Sequence, residues 1–331
     1  MFQIFKKGMI RFTAQPTRFT PINEGVIYKV EMEEWAEMRV EIIDQAEEQI
    51  IGVKNIPYTE QATIDIAPYI VGRIELEPMP ADGNTIAPYP TATYYIRVTT
   101  PYEQATSNPV TVSINLEPFK SEPIQTILGN NRIISFGEQD DILLTPAAAT
   151  EIDVQMISDL GESLTITAPS IDAPALLHID TTAFNEATKS LNLHIRFNGE
   201  LKGIMHYNFV ARHKGSKRVM WLMPNGSIEH HTFAATISEQ SVVNRQRLCT
   251  TADGARARVT ESFERATIRS AALGEELTRA LMTIISAPRV WIEGQMPTPA
   301  QVTDQILEIA PYTDAGVITL NIDYNHKTIT L

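Results

Sequence analysis

Seven histidines, one cysteine and a short run of carboxylates are the places where this chain of 331 residues could do chemistry. His230 and His231 follow Glu229, a grouping that suits acid–base work or a metal. On a strand, however, neighbours point to opposite faces, so the pair cannot close on one ion and Glu229 cannot face His230. His206 and His213 are separated by a predicted strand end. No His-x-x-x-His, His-Glu-x-x-His or Cys/His cluster occurs, and no metal site is expected. Cys249 has no recognisable partner set for a nucleophilic thiol. Glu138, Asp140 and Asp141 could offer hard oxygen ligands to calcium, but they lack the glycine and the ligand spacing of a calcium loop and read as a solvated turn. Glu229 likewise reads as a surface position. Nucleophile-elbow, phosphate-loop and dinucleotide-binding glycine patterns are absent, so no catalytic residue and no cofactor is assigned.

Aromatic residues offer a different chemistry, stacking on sugars. Tyr89, Tyr94 and Tyr102 lie near Pro88, Pro90 and Pro101 and form a candidate glycan contact. Core packing competes with it, because Tyr94 and Tyr95 must point apart on a strand. A third candidate is the basic span Arg245, Arg247, Arg256, Arg258 and Arg265, which could form a partner-facing assembly surface. The net charge of −13 is uneven: −7 over residues 1–118, −5 over 119–215 and −1 over 216–331. Acidic surfaces repel phosphates, so nucleic acid is not an expected partner.

The elements that must position these residues are mostly strands. Residues 1–118 read as a β-sandwich module with strands near 9–14, 26–32, 38–44, 62–67, 91–99 and 110–116. Glu31 to Ala36 is open between a helical turn and a charged loop. Two prolines and charges in 117–123 mark a linker. Residues 119–215 form a second sandwich module of seven predicted strands, with Asn198-Gly199 turning one hairpin. Residues 216–331 form a β-rich α+β domain with a hairpin over 218–236, one amphipathic helix over 270–287 capped by Ser270, and two terminal strands. Leu273, Leu277, Leu281 and Ile284 repeat on one helix face, as core residues do. The expected fold class is therefore mainly β: two Ig-like sandwich modules, then the α+β domain. A hydrophobic content of 43% gives each third enough apolar material for a core. A single cysteine permits no internal disulfide, and no apolar run reaches the ~20 residues of a membrane span. The first residues lack a signal-peptide pattern, so synthesis in a cytoplasm is expected.

The stretch Trp221-Leu222-Met223-Pro224-Asn225-Gly226-Ser227-Ile228-Glu229, ending at Phe233, and the later Ile285-Ser286-Ala287-Pro288-Arg289-Val290-Trp291 carry a resemblance. Over about residues 216–331 the chain resembles tail and baseplate structural proteins of tailed bacteriophages and of prophages of gut anaerobes. That resemblance implies a non-enzymatic virion component that packs with copies of itself and with other tail proteins. It implies synthesis in the bacterial host and residence in the virion tail. The alternative is a module that binds host surface glycans.

Overall fold

The computed structural model describes residues 10–74, 83–250, 254–294, 296–304 and 316–330, and for 245–250, 254–260 and 329–330 the backbone alone. It is mainly β and divides into two compact units: Met1–Leu76 with Pro90–Phe119, and Glu77–Tyr89 with Lys120–Leu331. The first unit thus ends within the expected linker. The expected division at 215/216 falls inside the second unit, because side chains from both sides of it share one buried network.

In the first unit, β1 (Arg11–Ala14), β2 (Thr20–Pro21), β3 (Ile27–Asp44) and β4 (Gln49–Asp65) precede a single helical turn, α1 (Ala67–Ile70). Segment β5 (Thr85–Pro88) belongs to the second unit, after which β6 (Thr91–Thr99), β7 (Gln104–Thr106) and β8 (Val110–Ser113) complete the first. The sheet order is β1-β3-β6-β8-β2, with β4 on β3 and β7 on β6. Alternation in β3 buries Tyr28, Val30, Met38, Val40 and Ile42. Glu31 to Ala36, left open between helical turn and loop, is strand throughout, with its pairing register to β4 broken between Glu31 and Ala36. Along its other edge β3 pairs with β1 near residue 30 and with β6 from Arg39 to Asp44.

The second unit starts with a sandwich. Its strands are β9 (Ile124–Gln125), β10 (Asn131–Ile134), β11 (Gln139–Leu144), β12 (Thr150–Ser158), β13 (Ser163–Ile171), β14 (Ala175–Asp180), β15 (Ser190–Phe197) and β16 (Glu200–Phe209). One sheet runs β10-β16-β15-β12-β13 and the other β5-β14-β11-β9. Val154, Met156, Leu193 and Ile195 from the first meet Ile142, Leu144, Leu177 and Ile179 from the second in one core. Asn198 and Gly199 both have positive φ (50° and 79°), the twist that a two-residue hairpin requires.

The same unit continues with β17 (Lys217–Leu222), β18 (Ile228–Phe233), β19 (Ala235–Thr250), β20 (Gly254–Arg269), α2 (Glu275–Met282), β21 (Arg289–Ile292), β22 (Thr298–Val302) and β23 (Thr319–Thr330). They make a seven-stranded sheet, β18-β17-β21-β22-β23-β20-β19. Leu273, Leu281 and Ile284 sit in its core with Trp221, Phe233, Ile268 and Leu320, and Leu277 packs at the margin. The helix is shorter than expected. Ser270 spends its hydroxyl on Ile318 N and Ala271 O, and Leu273 pairs with Gly316 through two backbone bonds of 2.9 and 2.8 Å. Those bonds hold 270–273 extended, so Gly274 occupies the N-cap, and a 3₁₀ turn over Thr283–Ser286 leads to Pro288. The two expected terminal strands are a single strand, β23, bulged where Asn325 takes φ 55°. Neither β21 nor β22 was anticipated, since both are short and the sheet supplies their pairing.

Candidate functional site

The densest group of ionisable side chains is not at the surface. Strand β11 is buried on both faces, so Asp140 and Asp141 point opposite ways into protein. Asp141 accepts from His178 Nδ1 and lies 2.8 Å from His230 Nε2. Asp140 accepts from the Tyr207 hydroxyl at 2.8 Å and faces Arg132 at 3.8 Å and Arg218 at 3.6 Å. Glu138 takes hydrogen bonds from Ser135 N at 2.8 Å and Thr232 Oγ1 at 2.7 Å, with Arg218 at 3.4 Å. Glu138, Asp140 and Asp141 are therefore neither a solvated turn nor free calcium ligands, and among the described residues no group of three or more ligand-type side chains is placed to hold a metal.

Strands β17 and β18 supply the other half. Glu229, expected at the surface, is wholly buried. It accepts from Thr126 Oγ1 at 2.8 Å, Ile127 N at 2.9 Å, Ser227 Oγ at 3.0 Å and Arg132 Nη2 at 3.1 Å. Arg218 also reaches Glu293 at 3.0 Å. Five carboxylates thus surround two guanidinium groups and His230. Burial works against the charged form of His230, yet the hydrogen bond to Asp141 and the Glu293 carboxylate 3.8 Å from Nδ1 override it and raise the pKa to about 9. For Asp141 burial again opposes the charge, and hydrogen bonds from His178 and His230 win, so its pKa is lowered. His231 faces away from this network, as strand alternation requires. It packs edge-on against Phe233 at 5.4 Å, and burial, reinforced by Arg218 and Arg132, lowers its pKa to about 3.

Each acid of the network lies against an arginine, a histidine or a backbone amide, although Glu138 Oε1, Arg132 Nη1 and His230 Nδ1 make no hydrogen bond among the described residues, and the cluster can lock the two halves of the second unit together. Sequence reasoning missed Arg132, Arg218 and Glu293. The available signal was that Arg132, Arg218 and the Asp140-Asp141 pair each adjoin apolar strand residues with no polar alternation around them.

The other candidates fall apart in space. Tyr89 and Tyr94 are buried at 2% and 1% exposure, out of reach of a sugar, and Tyr102 alone of the three is exposed. Arg265 is clamped bidentately to Asp323, with both bonds at 2.7 Å, and so serves the β20–β23 pairing. The side chains of Arg245, Arg247, Arg256, Arg258 and Cys249 lie outside the described residues.

The class that fold and site define is a modular, mainly β protein whose charged cluster is internal. No known protein family matches the sequence, and no curated protein does. Among solved structures, the chain is similar to a two-domain fibronectin type III segment of chicken tenascin, at 10% identity, over 60% of this chain and 95% of that one, with a TM-score of 0.20. It is also similar to a three-immunoglobulin-domain segment of titin, at 10% identity, over 78% of this chain and 93% of that one, with a TM-score of 0.23.

Proposed function

We propose that this protein is a non-enzymatic structural component that works by packing against copies of itself and other proteins of a larger assembly. The observation that carries this reading is a pair of long edge strands. Among the described residues, β4 pairs only with β3 over its 17 residues, and β19 pairs only with β20 over its 16. Such edges present unpaired backbone groups to any neighbouring strand. Apolar side chains stand exposed on the same hairpins: Trp35 at 62% and Tyr58 at 63% on β3 and β4, and Ile237 and Val243 on β19. Exposed aromatic and aliphatic groups beside an open edge suit a protein–protein contact. The buried charge network supports the reading from the other side, since its acids and bases are committed to holding the scaffold. Within this reading, the resemblance over residues 216–331 points to the tail tip or baseplate of a bacteriophage.

Light scattering coupled to size exclusion, over a concentration series, tests the proposal. A defined oligomer, or reversible growth with concentration, is expected. Ile237→Lys with Val243→Lys should shift it toward monomer while leaving the circular dichroism spectrum unchanged. A strict monomer at high concentration, in a protein whose double variant behaves identically, would rule out self-assembly through β19.

A further inference from the structure

A cavity of ≈ 190 Å³ opens in the second unit between β18, the end of β10 and the segment before α2. Ile133, Val210, Ala234 and Leu273 give it apolar walls. Five polar side chains line it as well, Ser135, His213, Ser216, His231 and Thr232, the last bonded to Glu138. Ser135 Oγ, Ser216 Oγ and His231 Nε2 are all buried and have no hydrogen-bond partner. Ser135 is 1% exposed and His231 5%. Buried polar atoms are nearly always paired, and three orphans around one apolar space are the arrangement of a ligand site: apolar lining with a few convergent polar groups.

The chemistry of the orphans narrows the occupant. Two hydroxyls and a neutral imidazole can all donate toward one head group. Burial, reinforced by Arg218 and Arg132, keeps the His231 imidazole neutral, so its ring offers a single N–H beside the two hydroxyls. A cavity of roughly 150 Å³ with apolar walls suits a benzene-sized body, so the volume here leaves room for one such body and a small head.

We propose that this cavity binds a small carboxylic acid with a compact apolar body. Its carboxylate accepts from Ser135, Ser216 and His231, and its body packs on Ile133, Val210 and Leu273.

Benzoate is the probe, added to the full chain and followed by thermal shift, by calorimetry and by the imidazole ¹⁵N resonances of His231. Benzoate is expected to raise Tm with concentration and to move the His231 signal, and toluene and acetate are expected to do less at equal concentration. Ser135→Ala with Ser216→Ala should weaken benzoate binding by about tenfold or more while leaving the Tm of the free protein equal or higher, because the alanines remove unpaired hydroxyls. Ala234→Leu, which fills the cavity, should abolish binding. If millimolar benzoate leaves both Tm and the His231 signal unchanged, the cavity holds only water and the proposal fails. It fails equally if the serine double variant binds benzoate as the parent does.

Discussion

At the scale of single residues, the buried network sets how stability responds to mutation and pH. Glu229 and Arg132 are both almost fully buried, and Glu229 has no route to water if its partner goes. Glu229→Gln should therefore cost about 3–5 kcal/mol in urea denaturation, whereas Arg132→Met combined with Glu229→Leu should recover most of that loss. Neighbouring histidines act in opposite directions. The raised pKa of His230 means its contribution is whole below 6.5 and is lost as pH rises through about 9. The lowered pKa of His231 means its contribution is whole above 6.5 and is lost as pH falls through about 3. The lowered Asp141 adds a further loss below its ordinary value of 3.8. Stability should peak near pH 6.5 and decline on both sides, and His230→Gln should flatten the alkaline decline. A Tm that is level between pH 6.5 and 9 in the parent would contradict the assignment of His230.

At the scale of elements, α2 shows which contacts matter. Leu281 is fully buried beneath the sheet, and Leu281→Ala should cost about 2–5 kcal/mol by denaturant unfolding. The Glu275–Arg279 pair on the opposite face is 66% and 70% exposed, so Arg279→Ala should change stability by no more than about 0.5 kcal/mol despite bonds of 2.7 and 3.0 Å. The hairpin of β17 and β18 is closed by Gly226 at φ 89°, with Asn225 Oδ1 accepting from Ser227 N at 3.2 Å. Its length places Glu229 and His230 where Arg132 and Asp141 can meet them.

At the scale of the whole molecule, chain order and spatial order differ. Segment β5 comes before β6 in sequence but pairs with β14 in the second unit, from Thr85↔His178 to Pro88↔Ala175. Asn84 adds two bonds to the backbone of Asp180, at 3.0 and 2.8 Å. A fragment of residues 120–331 would leave β14 with one open side. It should unfold at lower urea concentration than the same unit in the intact chain, with faster amide exchange at Leu176 and His178, whose backbone groups face β5. Equal protection in fragment and full chain would show that β5 is dispensable.

Much of this was legible in the sequence for a simple reason: strands and helix faces are written in short-range periodicity. Alternation marked β12 and β15 to within a residue and β16 to within three, Asn-Gly pairs marked the turns, and the Leu273–Ile284 stripe marked the residues that α2 and its flanks bury. Charge gave no such guidance. Whether Asp140, Glu229 or Arg218 meets water depends on partners some 80 to 100 residues away, as in the separations of 80 for Glu138 and Arg218 and 97 for Arg132 and Glu229. Local pattern determined the mainly β class and most of its strands. Only tertiary structure decided that the acidic run is buried, that Tyr89 and Tyr94 are core, and that residues 120–331 form one unit, because burial of a charge is settled by what packs across from it.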